Sequence, residues 1–203
     1  MNLKATYNRI AADWHQDHQR DDWWVDGTKA FCSYLPTDTT VLDVGCGSGQ
    51  KAKFLTEQGL RVTGVDFSQT MIEIARREVP AAAFQILDIR NLDALGTTYG
   101  GVFAQAVLLH FFKKEIPALV RTLTGRVAPG GYLYVAVKER RGQEPDEEVK
   151  TEADYGYPYE RFFSYFSLLE MEDYLRQAGL EIVHRDRTQF NRTVWIQLIG
   201  RKV

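Results

Sequence analysis

Residues Val41–Gln50 read VLDVGCGSGQ, and no other stretch constrains the fold of this chain as strongly. A short apolar run ends at Asp43, and three glycines at spacing two (Gly45, Gly47, Gly49) then lead into a helical pattern. Glycine permits positive φ and lets a ligand approach where a Cβ would stand. A helix that begins at such a turn presents unpaired N–H groups and the positive end of its dipole. The segment therefore reads as a strand, a ligand-cradling turn and a helix.

The rest of the chain repeats this alternation. The patterning predicts strands over Thr40–Val44, Arg61–Asp66, Ala83–Leu87, Val102–Val107 and Gly131–Lys138, with a terminal pair over Leu180–Arg187 and Thr193–Arg201. Helices are expected over Gln50–Gln58, Gln69–Val79, Lys113–Val127 and Leu168–Ala178. Ser68 is an N-cap candidate, and Ser167 with Glu170 forms a capping box. Ala128-Pro129-Gly130-Gly131 is a stop-and-turn signal. Alternation of this kind implies an α/β fold with a mainly parallel sheet. Two regions break the rhythm: a helical, aromatic-rich cap over residues 1–35, and an insert over 140–166 that begins acidic and turns aromatic.

At 203 residues the chain fits a single domain. A net charge of −2 gives no general attraction to nucleic acid or an anionic membrane. Cys32 and Cys46 are too few for a zinc cluster or a secreted disulfide scaffold, so no metal is expected. The N-terminal residues lack the apolar core of a signal peptide, and no apolar run spans a bilayer. A cytoplasmic location and no membrane partner are the expectations. The oligomeric state is left open.

The glycine spacing is G-x-G-x-G, not the G-x-G-x-x-G of dinucleotide sites, because Gln50 follows Gly49. Preceded by hydrophobic-Leu-Asp-hydrophobic, it closely resembles the first motif of class I S-adenosylmethionine (SAM)-dependent methyltransferases, and the order of elements resembles that family along nearly the whole chain. The resemblance implies a Rossmann-like, doubly wound seven-stranded sheet. It would be mostly parallel, with the last strand antiparallel between the fifth and sixth, and residues 1–35 would serve as a lid.

Ligands of open α/β sheets lie beyond the carboxyl ends of the strands, at the switch point. The resemblance puts the amino-acid end of SAM against Asp43, Gly45, Cys46, Gly47 and Gly49. It puts the ribose hydroxyls on Asp66, the adenine between Phe67 and Met71 and against Asp88 and Ile89, and the SAM amino group at the Gln105 carbonyl. Met71 reads equally well as helix core. The family's fourth motif often carries Asp where this chain has Gly100, so a charge is absent there.

His110 lies just past the fourth strand in an LLH segment. It is the candidate general base for a hydroxyl acceptor, or else an imidazole that fixes loop geometry. His15 and His18 read as solvent-facing. Within RFFSYFS, Arg161 suits either a substrate carboxylate or phosphate or a structural salt bridge. Phe162 and Tyr157 could wall the acceptor pocket, and Trp14 belongs to a helix resembling the family's cofactor cover.

The chain has no Pro-Pro sequence of the kind amino-methylating nucleic-acid enzymes carry, and no candidate cysteine nucleophile. A small-molecule methyl acceptor is therefore expected, receiving the methyl on O or N and leaving S-adenosylhomocysteine (SAH). A non-catalytic SAM- or SAH-binding module would use the same cofactor residues. It would differ by filling the space beyond the methyl with Tyr157, Tyr159 and Phe163.

Overall fold

A computed structural model describes residues 2–143 and 145–203. Helices α1 (Leu3–Asp17) and α2 (Val25–Ser33) precede β1 (Thr40–Val44), α3 (Gln50–Glu57), β2 (Arg61–Asp66), α4 (Gln69–Glu78) and β3 (Ala83–Ile86). Then come β4 (Tyr99–Gln105), α5 (Ile116–Arg126) and β5 (Val127–Lys138). A hairpin of β6 (Glu147–Glu152) and β7 (Tyr159–Ser164) leads to α6 (Leu168–Gln177), β8 (Leu180–Phe190) and β9 (Thr193–Lys202).

The main sheet has the order β3-β2-β1-β4-β5-β9-β8. Strands β1 to β5 pair in parallel, and β9 lies antiparallel between β5 and β8. This is the expected topology. The strand order reverses between β1 and β4, so the crevice at their carboxyl ends is the place for a ligand.

Alternation along the strands sorts the core into two layers. Leu42, Val44, Val102, Ala104, Val135 and Val137 pack with Leu119 and Leu123 of α5 and Met171 and Leu175 of α6. Val41, Val62, Phe103, Tyr134 and Ala136 point the other way, onto Phe31 of α2, Leu55 of α3 and Ile72 and Ala75 of α4. The helix starts follow their side chains. The Ser68 hydroxyl accepts from the Met71 N–H at 3.2 Å. Ser167 and Glu170 make the reciprocal bonds of a capping box, a device worth about 1 kcal/mol.

The expected bounds of β4 and β5 need correction. Strand β4 runs over Tyr99–Gln105, not Val102–Val107, because Ala106 turns out of the sheet at φ 55. Strand β5 begins at Val127, since its first residue already pairs with Tyr99 before a register shift. Within the insert, β6 and β7 form a two-stranded antiparallel sheet. Its register sets Glu148 opposite Phe163 and Lys150 opposite Arg161. Charged residues dominate β6, which hides the alternation that normally betrays a strand.

Candidate active site

The turn after β1 is built as its sequence requires. Gly45 has φ +69, and a Cβ there would come within 2.8 Å of Val107 Cγ2. Only glycine meets both conditions. The Gly45 and Cys46 N–H groups donate to the Val65 carbonyl, which ties the turn to β2. Asp66, at the end of β2, accepts from the Gly47 N–H at 3.0 Å and the Ser68 N–H at 2.8 Å. Those bonds use half of a carboxylate's capacity of about four acceptor positions. Burial lifts its pKa to about 6, which leaves it mostly ionised at neutral pH.

Two adjoining cavities open at this edge of the sheet, and both touch Gly45, Asp66, Phe67, Val107 and His110. The larger, about 760 Å³, is bordered by Asp88, Ile89 and Phe162. The Asp88 carboxylate caps the following turn by accepting from the Arg90 N–H at 2.8 Å. The other, about 310 Å³, is bordered by Tyr7, Trp14, Asp43, Cys46, Gly47, Met71, Gln105 and Arg161.

Two buried acceptors of residues on this second cavity, Asp43 Oδ2 and Gln105 Oε1, have no hydrogen-bond partner among the described residues. Leaving such a group unpaired costs about 1–3 kcal/mol. Burial raises the Asp43 carboxyl to about 7, opposed by the nearby Lys51 ammonium. Lys51, the second residue of α3, is itself lowered to about 8 by burial. A ligand bearing a cationic amine and a carboxylate would satisfy this set. The residues fit the amino-acid end of SAM.

His110 is held at both nitrogens. Phe162 offers only a carbonyl at 2.8 Å, so Nδ1 carries the proton and donates. Nε2 then accepts from the Tyr7 hydroxyl, also at 2.8 Å. Burial holds the imidazole down to about 3 and therefore neutral. Arg161 grips Glu152 with Nε and Nη2 at 2.6 and 2.7 Å, so its fork serves a salt bridge across the hairpin.

The structure brings together most of the residues expected from sequence and separates a few. Gly49 borders neither cavity. Its Cα packs against α4, where a Cβ would meet Ala75 at 3.1 Å. Met71 sits with Trp14 and Gly47, not with Asp88 and Ile89. Phe162 lies on the Asp88 side, apart from Arg161. Tyr157 borders neither cavity. Its hydroxyl donates to Asp13 at 2.5 Å and its ring lies under Arg9, so it clamps the hairpin to α1. His15 and His18 are half-buried, with side chains 17% and 28% exposed. His15 Nδ1 meets Ser48 at 2.9 Å, and His18 stacks on Trp14 at 4.2 Å between ring centroids. Gly100 has a steric reason, because a Cβ would stand 2.4 Å from Thr39 Cγ2.

Sequence reasoning missed Lys51, Lys138, Trp23 and Trp195, all on the second cavity. Lys138 was within reach, because it is the last residue of β5 and strand ends are where ligands bind. The tryptophans gave no such signal, since their meeting depends on the path of β9.

A family model described as a methyltransferase domain matches residues 14–185. The S-adenosyl-L-methionine-dependent Diels-Alderase iccD of Talaromyces variabilis is 32% identical over 125 residues, 56% of this chain and 41% of that protein. Trans-aconitate 2-methyltransferase of Paracidovorax citrulli is 34% identical over 128 residues, 62% of this chain and 48% of that enzyme. The matched stretches thus span less than half the length of these relatives. The Burkholderia thailandensis 1,6-didemethyltoxoflavin-N1-methyltransferase, solved with its substrate and SAH, superposes with a TM-score of 0.78. It is 20% identical, and the match covers 99% of this chain and 87% of that one, a likeness of fold. The family model spans most of the chain and the fold agrees with it: the chain belongs to the methyltransferase-domain family, of the class I SAM-dependent type.

Proposed function

We propose that the chain is a SAM-dependent methyltransferase acting on O or N of a small molecule. The observation that carries this reading is the pair of unpartnered acceptors, Asp43 Oδ2 and Gln105 Oε1, beside the glycine turn. They would hold the SAM ammonium, with Lys51 toward its carboxylate and the Gly45–Gly47 backbone alongside. Asp66 would take the ribose hydroxyls, and Asp88, Ile89 and Phe67 would border the adenine. When bound, SAM supplies a methyl on a positively charged sulfur, transferable to O or N while the C–S electron pair stays on sulfur as SAH.

The chain's own residues align the reactants and exclude water. Trp14 and Tyr7 of α1 cover the cavity, and His110, acting through Tyr7, is a positioning residue. A base held down to about 3 has little drive to take a proton at neutral pH. Of the rings a binding module would use as a plug, Tyr157 is engaged outside and Tyr159 stacks on Tyr155 at 5.3 Å. Phe163 borders the cavity, which continues past it to Lys138 and Trp195. That remaining space favours an enzyme over a module.

Calorimetry tests the reading. SAM and SAH should bind in the micromolar range, and Asp66→Ala should weaken both by about 1.5–3 kcal/mol, as for a lost charged hydrogen bond. No heat at millimolar SAH would overturn it.

A further inference from the structure

The far end of the cavity holds a cation that the cofactor reading does not use. Lys138 closes β5, opposite Trp195 of β9 in the sheet register. Its ammonium stands 4.0 Å from the centroid of the Phe163 ring and 5.8 Å from that of Trp195. It has no hydrogen-bond acceptor or carboxylate in ion-pair range among the described residues. The acidic groups around it are engaged elsewhere: Glu152 by Arg161, and Glu148 by the Tyr165 hydroxyl at 2.6 Å and Lys150 at 3.1 Å. Aromatic faces attract a cation but accept none of its three N–H bonds in the manner of an oxygen.

A second observation points the same way. Trp195 borders the same cavity, and its indole Nε1 is buried with no acceptor among the described residues. Two donors without acceptors thus belong to residues paired across β5 and β9 on one side of the cavity, as two acceptors without donors belong to residues near the glycine turn. Aromatic faces also border the cavity here, together with the polar Asn191 and Thr193. Trp23 stacks on Trp195 with centroids 3.9 Å apart and an interplanar angle of 11°, and Phe163 and Phe190 flank them. Burial together with the Arg161 and Lys150 charges lowers Lys138 to about 8, the direction expected of a cation awaiting a counter-charge.

We infer that the methyl acceptor is a planar, unsaturated organic anion whose carboxylate is held by Lys138, with the indole N–H of Trp195 beside it. This rests on the methyltransferase reading and adds the acceptor's chemical class. Arg161, whose fork is closed by Glu152, is not the anchor.

The test is calorimetric titration of the full chain, with and without saturating SAH. The ligands are benzoate, 4-hydroxybenzoate and cinnamate, each compared with its primary amide. At least one carboxylate should bind about ten-fold more tightly than its amide, whose shape is nearly the same. Lys138→Arg should keep that preference. Lys138→Met should reduce it to about three-fold or less while SAH affinity and the melting temperature stay unchanged. The inference falls if no carboxylate outbinds its amide, if none binds at millimolar concentration, or if Lys138→Met keeps the preference. It also falls if Lys138→Met weakens SAH instead, which would make the cofactor's own carboxylate the partner. A wild-type chain that ignores SAH yet prefers carboxylates would remove the methyltransferase reading and leave the anion site standing.

Discussion

The His110 imidazole joins three elements that are far apart in sequence: the segment after β4, the Phe162 carbonyl of β7 and the Tyr7 hydroxyl of α1. Its acceptor nitrogen is usable only while the ring is neutral, which gives a pH prediction. The unfolded residue titrates near 6.5 and the folded one near 3. As pH falls through that window, the unfolded chain takes up a proton that the folded chain refuses, so stability is lost toward acid. Asp43 and Asp66, raised by burial, act in the opposite sense as pH falls from about 7, so the variant must be compared with wild type. His110→Asn should lose less stability than wild type between pH 7 and 5 in urea unfolding. The expected difference is about 1 kcal/mol, half the full linkage value because the ring borders an open cavity. Equal losses would place the acid sensitivity elsewhere. Position, then, was legible for His110, but its hydrogen-bond partners were not, since both come from chain segments that no local pattern connects to it.

At the scale of elements, α1 borders the second cavity with Tyr7 and Trp14. Side chains attach it: Asn8 Oδ1 accepts from the Ser68 hydroxyl at 2.7 Å and more weakly from the Thr70 N–H at 3.4 Å, beside the Tyr7–His110, His15–Ser48 and Asp13–Tyr157 bonds. Ala11 packs on Met71 and Ile74 of α4, with Tyr7 and Trp14 alongside. An element joined to the sheet through side chains, with no strand pairing, opens at lower free energy than the central strands. Asn8→Ala should therefore speed amide exchange in α1 by about five-fold, the factor expected for one lost hydrogen bond near 1 kcal/mol, and leave β1, β4 and β5 protected. SAH should slow exchange in the same helix. A uniform change across the sheet would show that α1 does not open independently. The helical character of α1 was readable from spacing, whereas its partner was not. The hairpin of β6 and β7 escaped notice because its stability lies in cross-strand pairs such as Glu148–Phe163, which exist only once register is set.

For the whole molecule, the cavities lie where the sheet order reverses between β1 and β4, so a ligand there touches both halves of the sheet and α1. Ligand binding to such a site couples to global unfolding. SAH at a hundred times its dissociation constant should add about 2.7 kcal/mol, which for a chain of this length raises the melting temperature by about 5–10 °C. NADH should leave it unchanged. A matching shift with NADH would mean that the glycine spacing does not discriminate between the cofactors.

The sequence by itself determined the alternation of strands and helices, the cofactor turn and the acidic residues at the ends of β1 and β2. These rest on short-range rules: side-chain period, capping and the steric freedom of glycine at Gly45. Tertiary structure alone decided which side chains face the acceptor end. Trp23 meets Trp195, and Lys138 has no carboxylate partner among the described residues, because β9 inserts beside β5 and the hairpin draws Arg161 onto Glu152. The meeting of Trp23 and Lys138 with Trp195 joins residues more than fifty positions apart, and the Arg161–Glu152 pair needs the hairpin register, so loop closure and packing, not local propensity, choose the partner.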